Sequence, residues 1–120
     1  MPTGIIGKEE KEIEYLFMNL SKLSIDKEEI VAIAHEFSIQ SIAVFGSALR
    51  VDFGPESDID LLIELSPKRK YSFFDLLEIK SRFEQLFKRK VDLIEKGSLR
   101  NPYRKKTILK TAREIYAAQH

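Results

Sequence analysis

The stretch Phe45-Gly46-Ser47-Ala48-Leu49-Arg50-Val51-Asp52-Phe53-Gly54-Pro55-Glu56-Ser57-Asp58-Ile59-Asp60-Leu61-Leu62 decides how this chain folds and where its polar chemistry gathers. The short apolar run Ile42-Ala43-Val44-Phe45 has the length and β-branched content of a buried strand, and it ends at Gly46-Ser47. Gly54-Pro55 then marks a turn. Beyond it, Asp58 to Leu65 alternates and becomes continuously apolar at Leu61-Leu62-Ile63, which predicts a second strand beginning at an acidic pair. Side chains on a strand repeat every second residue, so Asp58 and Asp60 are expected on one face while Ile59 and Leu61 enter the packing layer.

Two carboxylates brought together repel and raise each other's pKa unless a cation joins them, and hard oxygen ligands of this kind suit magnesium or manganese. Taken alone, Asp-x-Asp is also common on exposed strand ends. Its neighbours add to the reading. Gly46-Ser47 stands where a strand gives way to a helical turn, and a helix start offers unpaired backbone N–H groups to phosphate oxygens. Glycine lets the backbone approach a phosphate closely, Ser47 adds a hydroxyl, and Arg50 carries a planar fork of donors. The plainer reading of the same residues is an N-cap serine beside a solvated arginine.

Working outward, Lys8 to Leu23 predicts a helix with an apolar stripe of Ile13, Leu16, Phe17 and Leu20, followed by a turn and N-cap at Ser24-Ile25-Asp26. Lys27 to Phe37 predicts a second helix through Ile30, Ile33, Ala34 and Phe37, before a polar break at Ser38 to Ser41. Past the polar connection Ser66 to Lys70, the residues Phe73, Leu76, Ile79, Phe83, Leu86 and Phe87 make a long amphipathic helix. Lys90 to Glu95 is a third strand, Gly97 to Pro102 a loop, Tyr103 to Arg113 a last helix, and Ile115-Tyr116-Ala117 a short strand. This order predicts an α/β (α+β) fold: a small mixed β-sheet with helices packed on one face. There is no internal repeat or low-complexity tract.

The chain of 120 residues is about one domain long. Its 20 basic and 19 acidic side chains nearly cancel, so no global field draws it to nucleic acid, and a direct nucleic-acid partner is not expected. Absence of cysteine excludes disulfides, thiolate zinc sites and a cysteine nucleophile. The start, Met1 to Gly7, has no signal-peptide core, and no run approaches the ~20 apolar residues that cross a bilayer, so a cytoplasmic protein without membrane contact is expected. His35 reads as a surface or partly packed residue and His120 as a frayed end; Lys68-Arg69-Lys70 and Arg104-Lys105-Lys106 read as solvated basic faces able to meet phosphate or an acidic partner.

Gly46-Ser47, ten intervening residues and Asp58-Ile59-Asp60 reproduce the signature of the nucleotidyltransferase superfamily that includes DNA polymerase beta, and the chain resembles that family over roughly residues 30–117. The Ser-Asp-Ile-Asp-Leu-Leu context and short length look most like its minimal nucleotidyltransferase branch, the antitoxin found beside a HEPN-domain ribonuclease toxin. The resemblance implies a nucleotidyltransferase fold over residues 26–120 behind a helical extension at 1–25. It implies a third carboxylate on a neighbouring strand, for which Asp92 in Lys90-Val91-Asp92-Leu93-Ile94 is the candidate. It further implies that Asp58, Asp60 and Asp92 are catalytic and bind two magnesium ions, manganese being an alternative, and that Gly46, Ser47 and Arg50 hold the phosphates of ATP.

The implied reaction moves AMP from ATP to a hydroxyl, a tyrosine of a HEPN toxin in a hetero-oligomer with this chain. Alternatives are an antitoxin that inhibits its partner by binding alone, and a transferase acting on a small molecule or an RNA end. In relatives the loop arginine is often followed by glycine, whereas Arg50 is followed by Val51.

Overall fold

A computed structural model of the chain describes residues 7–23 and 25–119; the expected turn residue Ser24 and the expected frayed end at His120 lie outside the described residues. Its elements are α1 (Lys8–Lys22), α2 (Lys27–Phe37), β1 (Ile39–Phe45), a 3-10 turn (Gly46–Leu49), β2 (Ile59–Leu65), α3 (Phe73–Phe87), β3 (Val91–Glu95), a second 3-10 turn (Lys96–Ser98), α4 (Pro102–Thr111) and β4 (Arg113–Ala117). The strands form one mixed sheet in the order β3-β2-β1-β4. Only the β2–β3 pair is parallel, because α3 carries the chain back across the sheet between those two strands.

Local chemistry accounts for the helix starts. The Asp26 carboxylate accepts the Glu28 N–H at the head of α2, Ser72 and Asp75 form a reciprocal capping box on α3, and Asn101 precedes Pro102 at the start of α4. Both α2 and α3 end on a non-glycine residue in the left-handed region, Ser38 at φ 56 and Lys88 at φ 57. That single reversal at Ser38 lets β1 begin at Ile39 rather than Ile42, so the expected polar break is mostly strand, with Ile39 opposite Leu65 and Ser41 opposite Glu64.

The sheet has two packed faces. Ile42, Val44, Ile59, Leu61 and Ile63 pack with α1, α2 and α3 in the main core, around Phe37, Ile79, Phe83 and Phe87. Burying each of the larger side chains stabilises by roughly 2–3 kcal/mol. The opposite face packs Phe45 and Leu62 against Ile108 of α4. The helices expected on one face are therefore α1, α2 and α3, and α4 lies on the other. It also stops at Thr111 rather than Arg113, because Arg113 leaves it to pair with Val44 at the start of a longer β4 than expected.

The stripe of α1 is turned relative to its expected position. Leu16 and Leu20 face inward, whereas Ile13 and Phe17 are exposed; the inward face is completed by polar Asn19, which is buried. Among the described residues no helix is long and apolar enough to cross a membrane.

Candidate active site

The C-terminal end of β1 and the N-terminal ends of β2 and β3 meet at one place. Phe45 stands opposite Asp60 in the antiparallel β1–β2 ladder, so the 3-10 turn that follows Phe45 starts beside that aspartate. In the parallel β2–β3 ladder Asp60 is in register with Asp92. Ile59 and Leu61 point into the main core, which leaves Asp60 on the opposite face as the alternation predicts. Asp58, Asp60 and Asp92 line a single cleft of about 400 Å³, together with Lys80 and Glu84 of α3 and Lys90. A roomier cleft of about 710 Å³ lies between α2 and β4, around Ile39 and Gln40 at the other end of β1, and contains none of the three aspartates.

Gly46 is where the turn and β2 come closest. Its φ is +68, a region open to glycine and costly for other residues, and a Cβ built there would overlap Asp60 Oδ2, with Asp60 Cγ at 3.2 Å. The glycine is required by this protein carboxylate, a reason the sequence does not disclose. Ser47 joins both aspartates to the turn: its N–H donates to Asp60 Oδ2 at 3.4 Å, and its hydroxyl donates to the Asp58 carbonyl at 2.8 Å. Arg50 is exposed and pairs with Asp52 at 3.3 Å, a surface contact of small energetic value. It lines a second cleft, between α1 and the turn, instead of the carboxylate cleft.

Burial raises the Asp60 pKa above its ordinary value. The Ser47 N–H pulls it back, the charges of Asp92 and Asp58 push it up, and Arg50 lowers it. Because the folded-state pKa lies above the unfolded one, the folded state holds its proton more tightly, and stability falls as pH rises through the folded-state value. Asp60→Asn is therefore expected to raise the melting temperature of the metal-free protein at neutral pH and to flatten that acid-side slope. Thermal melts from about pH 4 to about pH 8 check this, and an unchanged slope contradicts it. A divalent cation bound there would offset the same repulsion, and carboxylate oxygens are ligands that suit magnesium. Among the described residues no three acidic or histidine side chains form a preassembled metal cage, so the carboxylates converge without being drawn together.

Three positioning contacts were not foreseen from the sequence. Arg89, in the α3–β3 connection, donates from Nη1 to the carbonyls of Gly54 and Ser57, both at 2.9 Å, and lies 4.6 Å from the Phe53 ring centre, so it fastens the loop that leads into Asp58. Glu84 accepts the Val91 N–H at 3.1 Å, one residue before Asp92. Asn19 reaches the 3-10 turn from α1. Nothing in the spacing of Arg89 or Glu84 signals these contacts; for Asn19 the signal is a polar residue between Leu16 and Leu20.

The family model described as nucleotidyltransferase domain matches residues 27–115. A Methanocaldococcus jannaschii relative, named provisionally as a protein adenylyltransferase, is 42% identical over 73 residues, covering 61% of this chain and 73% of its own. A toxin–antitoxin crystal structure with AMP-PNP contains a chain of TM-score 0.63 at 16% identity, over 79% of this chain and 76% of that one. In a complex of tri-AMPylated Shewanella oneidensis HEPN toxin with MNT antitoxin, the matching chain has TM-score 0.55 at 15% identity, over 77% of this chain and 70% of that one. At such identities the solved structures speak for the fold, while the matched sequence speaks for descent. Both agree, and the chain belongs to the nucleotidyltransferase domain family.

Proposed function

We propose that this protein transfers AMP from ATP to a tyrosine hydroxyl of a HEPN-domain toxin partner, and so acts as that partner's antitoxin. The observation that carries the reading is the closure of Gly46-Ser47 onto Asp60, with Asp92 in register on the next strand. Those are the residues that must cooperate if phosphate contacts and carboxylates serve one reaction. The named relative and the antitoxin complexes of the same fold support the choice of AMP and of a protein acceptor. We take residues 26–120 as the transferase domain and the helical segment before it as an extension, a division supported by a family match that begins at residue 27.

Asp58, Asp60 and Asp92 would hold two magnesium ions, manganese serving in their place, and such ions when bound screen triphosphate charge and lower the pKa of an attacking hydroxyl. The Gly46–Leu49 turn presents its backbone to the phosphates of ATP, with the Ser47 N–H passing to them from Asp60 and the Arg50 guanidinium reaching them by leaving Asp52 and its cleft against α1. The Ser47 hydroxyl, already donating to the Asp58 carbonyl, keeps that aspartate in place. Asp92, exposed at the open side of the cleft, accepts the proton of the acceptor hydroxyl. The acceptor oxygen then bonds to the α-phosphorus, the bond from that phosphorus to the bridging oxygen breaks, and pyrophosphate leaves. Positioning and charge stabilisation supply most of the rate in phosphoryl-transfer chemistry of this kind.

The test is an incubation with the HEPN partner and ATP in magnesium buffer, read by intact-mass spectrometry. The partner is expected to gain one or more AMP units and pyrophosphate to accumulate, with both stopped by EDTA. No gain in magnesium or manganese would exclude the reading, and a gain undiminished by EDTA would exclude its metal requirement.

A further inference from the structure

Helix α1 lies outside residues 27–115, yet it makes a buried polar contact with the turn that carries Gly46 and Ser47. Asn19 is 2% exposed, and its amide spends both hydrogens on that turn: Nδ2 donates to the Ala48 carbonyl at 2.8 Å and to the Arg50 carbonyl at 3.0 Å. A peptide group is planar, so holding these two carbonyls toward α1 turns the N–H groups of Leu49 and Val51 away from it and fixes the backbone from which the Arg50 side chain starts. The rest of the turn is held from other directions: Ala48 and Leu49 are buried in the main core, Ser47 is bonded to Asp58 and Asp60, and the Arg50 carbonyl also accepts the Phe53 N–H at 3.4 Å. What Asn19 adds is the tie between the Ala48 and Arg50 carbonyls across the turn's exit. The turn's own closing bond is Arg50 N–H to the Ser47 carbonyl at 3.1 Å, and the Arg50 side chain is exposed.

Helix α1 does not depend on Asn19 for its own place. Leu16 is buried in the main core, and Glu12 makes a largely buried ion pair at 3.2 Å with Arg113 of β4. Removing the Asn19 amide therefore frees the turn more than the helix.

The geometry points to Asn19 as a positioning residue that sets the Gly46–Arg50 turn for the phosphates of the nucleotide, which makes α1 a working part of the site rather than an appendage. This rests on the nucleotidyltransferase reading above, and the experiment separates the two. Mg-ATP affinity is measured by calorimetry, below the melting temperature of each protein, for the parent, Asn19→Ala and Leu16→Ala. Leu16→Ala removes packing from the same helix face and leaves the turn's two hydrogen bonds in place. Asn19→Ala is expected to weaken Mg-ATP binding about tenfold, as the loss of two buried hydrogen bonds that order a binding loop implies. Leu16→Ala is expected to lower the melting temperature with affinity kept within about twofold of the parent, well inside the cost of one such bond.

Should Asn19→Ala fail to fold, Asn19→Ser keeps one donor in less volume and is expected to give a smaller loss in the same direction. Equal affinity of the Asn19 variant and the parent would overturn the inference, as would an equal loss in Leu16→Ala. A parent without Mg-ATP affinity would overturn the underlying reading of the site instead.

Discussion

Gly46→Ala is expected to cost about 10²-fold or more in AMP transfer, the scale on which a misplacement of roughly an ångström lowers catalysis. The cause is local. An alanine at φ +68 carries the left-handed penalty of about 1–2 kcal/mol, and its methyl group falls on Asp60 Oδ2. Asp60 cannot simply retreat, since Ile59 and Leu61 on either side of it are fully buried in the main core. Either the turn swings out and loses the Ser47 N–H contact, or the carboxylate rotates away from Asp92. Gly54→Ala supplies the contrast: Gly54 has no positive φ, and a Cβ there would meet nothing nearer than the Asp52 carbonyl at 3.9 Å. Steady-state rates with circular dichroism check the pair. Comparable rates for Gly46→Ala and Gly54→Ala would mean that the approach of Gly46 to Asp60 is not needed.

Asp92→Asn is expected to have the larger effect, about 10³-fold or more, as expected for losing a group that supplies both charge and proton acceptance in the transition state. Its side chain is exposed, so the fold does not depend on it, and the amide is nearly isosteric with the carboxylate. The amide removes negative charge beside Asp60 and cannot accept a proton at neutral pH. Binding of a protein partner across the rest of the surface should persist.

Much of this arrangement is legible in the sequence because it depends on period and spacing. Ile30, Ile33, Ala34 and Phe37 of α2, and Ile79, Phe83 and Phe87 of α3, are buried as their helical spacing predicts. The same alternation puts Asp60 on the face opposite Ile59 and Leu61. What the sequence leaves out are contacts between residues far apart in the chain. Asn19 breaks an apolar stripe, so the inward face of α1 is misjudged, with exposed Phe17 counted in and buried Asn19 left out. Arg89 stands between Lys88 and Lys90 with no spacing that singles it out, yet its guanidinium turns back onto the loop before Asp58. The role of Gly46 is the instructive case: its need for glycine is visible as a motif, whereas the atom that imposes it, Asp60 Oδ2, is supplied only by the pairing of β1 with β2.

The central claim is that this chain disarms its partner by chemistry at Asp92, and one variant tests it. The HEPN partner is co-expressed with the parent or with Asp92→Asn, growth is scored, and the partner recovered from each complex is weighed intact. The account predicts that the parent restores growth and leaves the partner heavier by AMP, while Asp92→Asn still co-purifies with the partner but adds no mass and restores no growth. Growth restored by Asp92→Asn on an unmodified partner would contradict it, and would make this protein an inhibitor by binding alone.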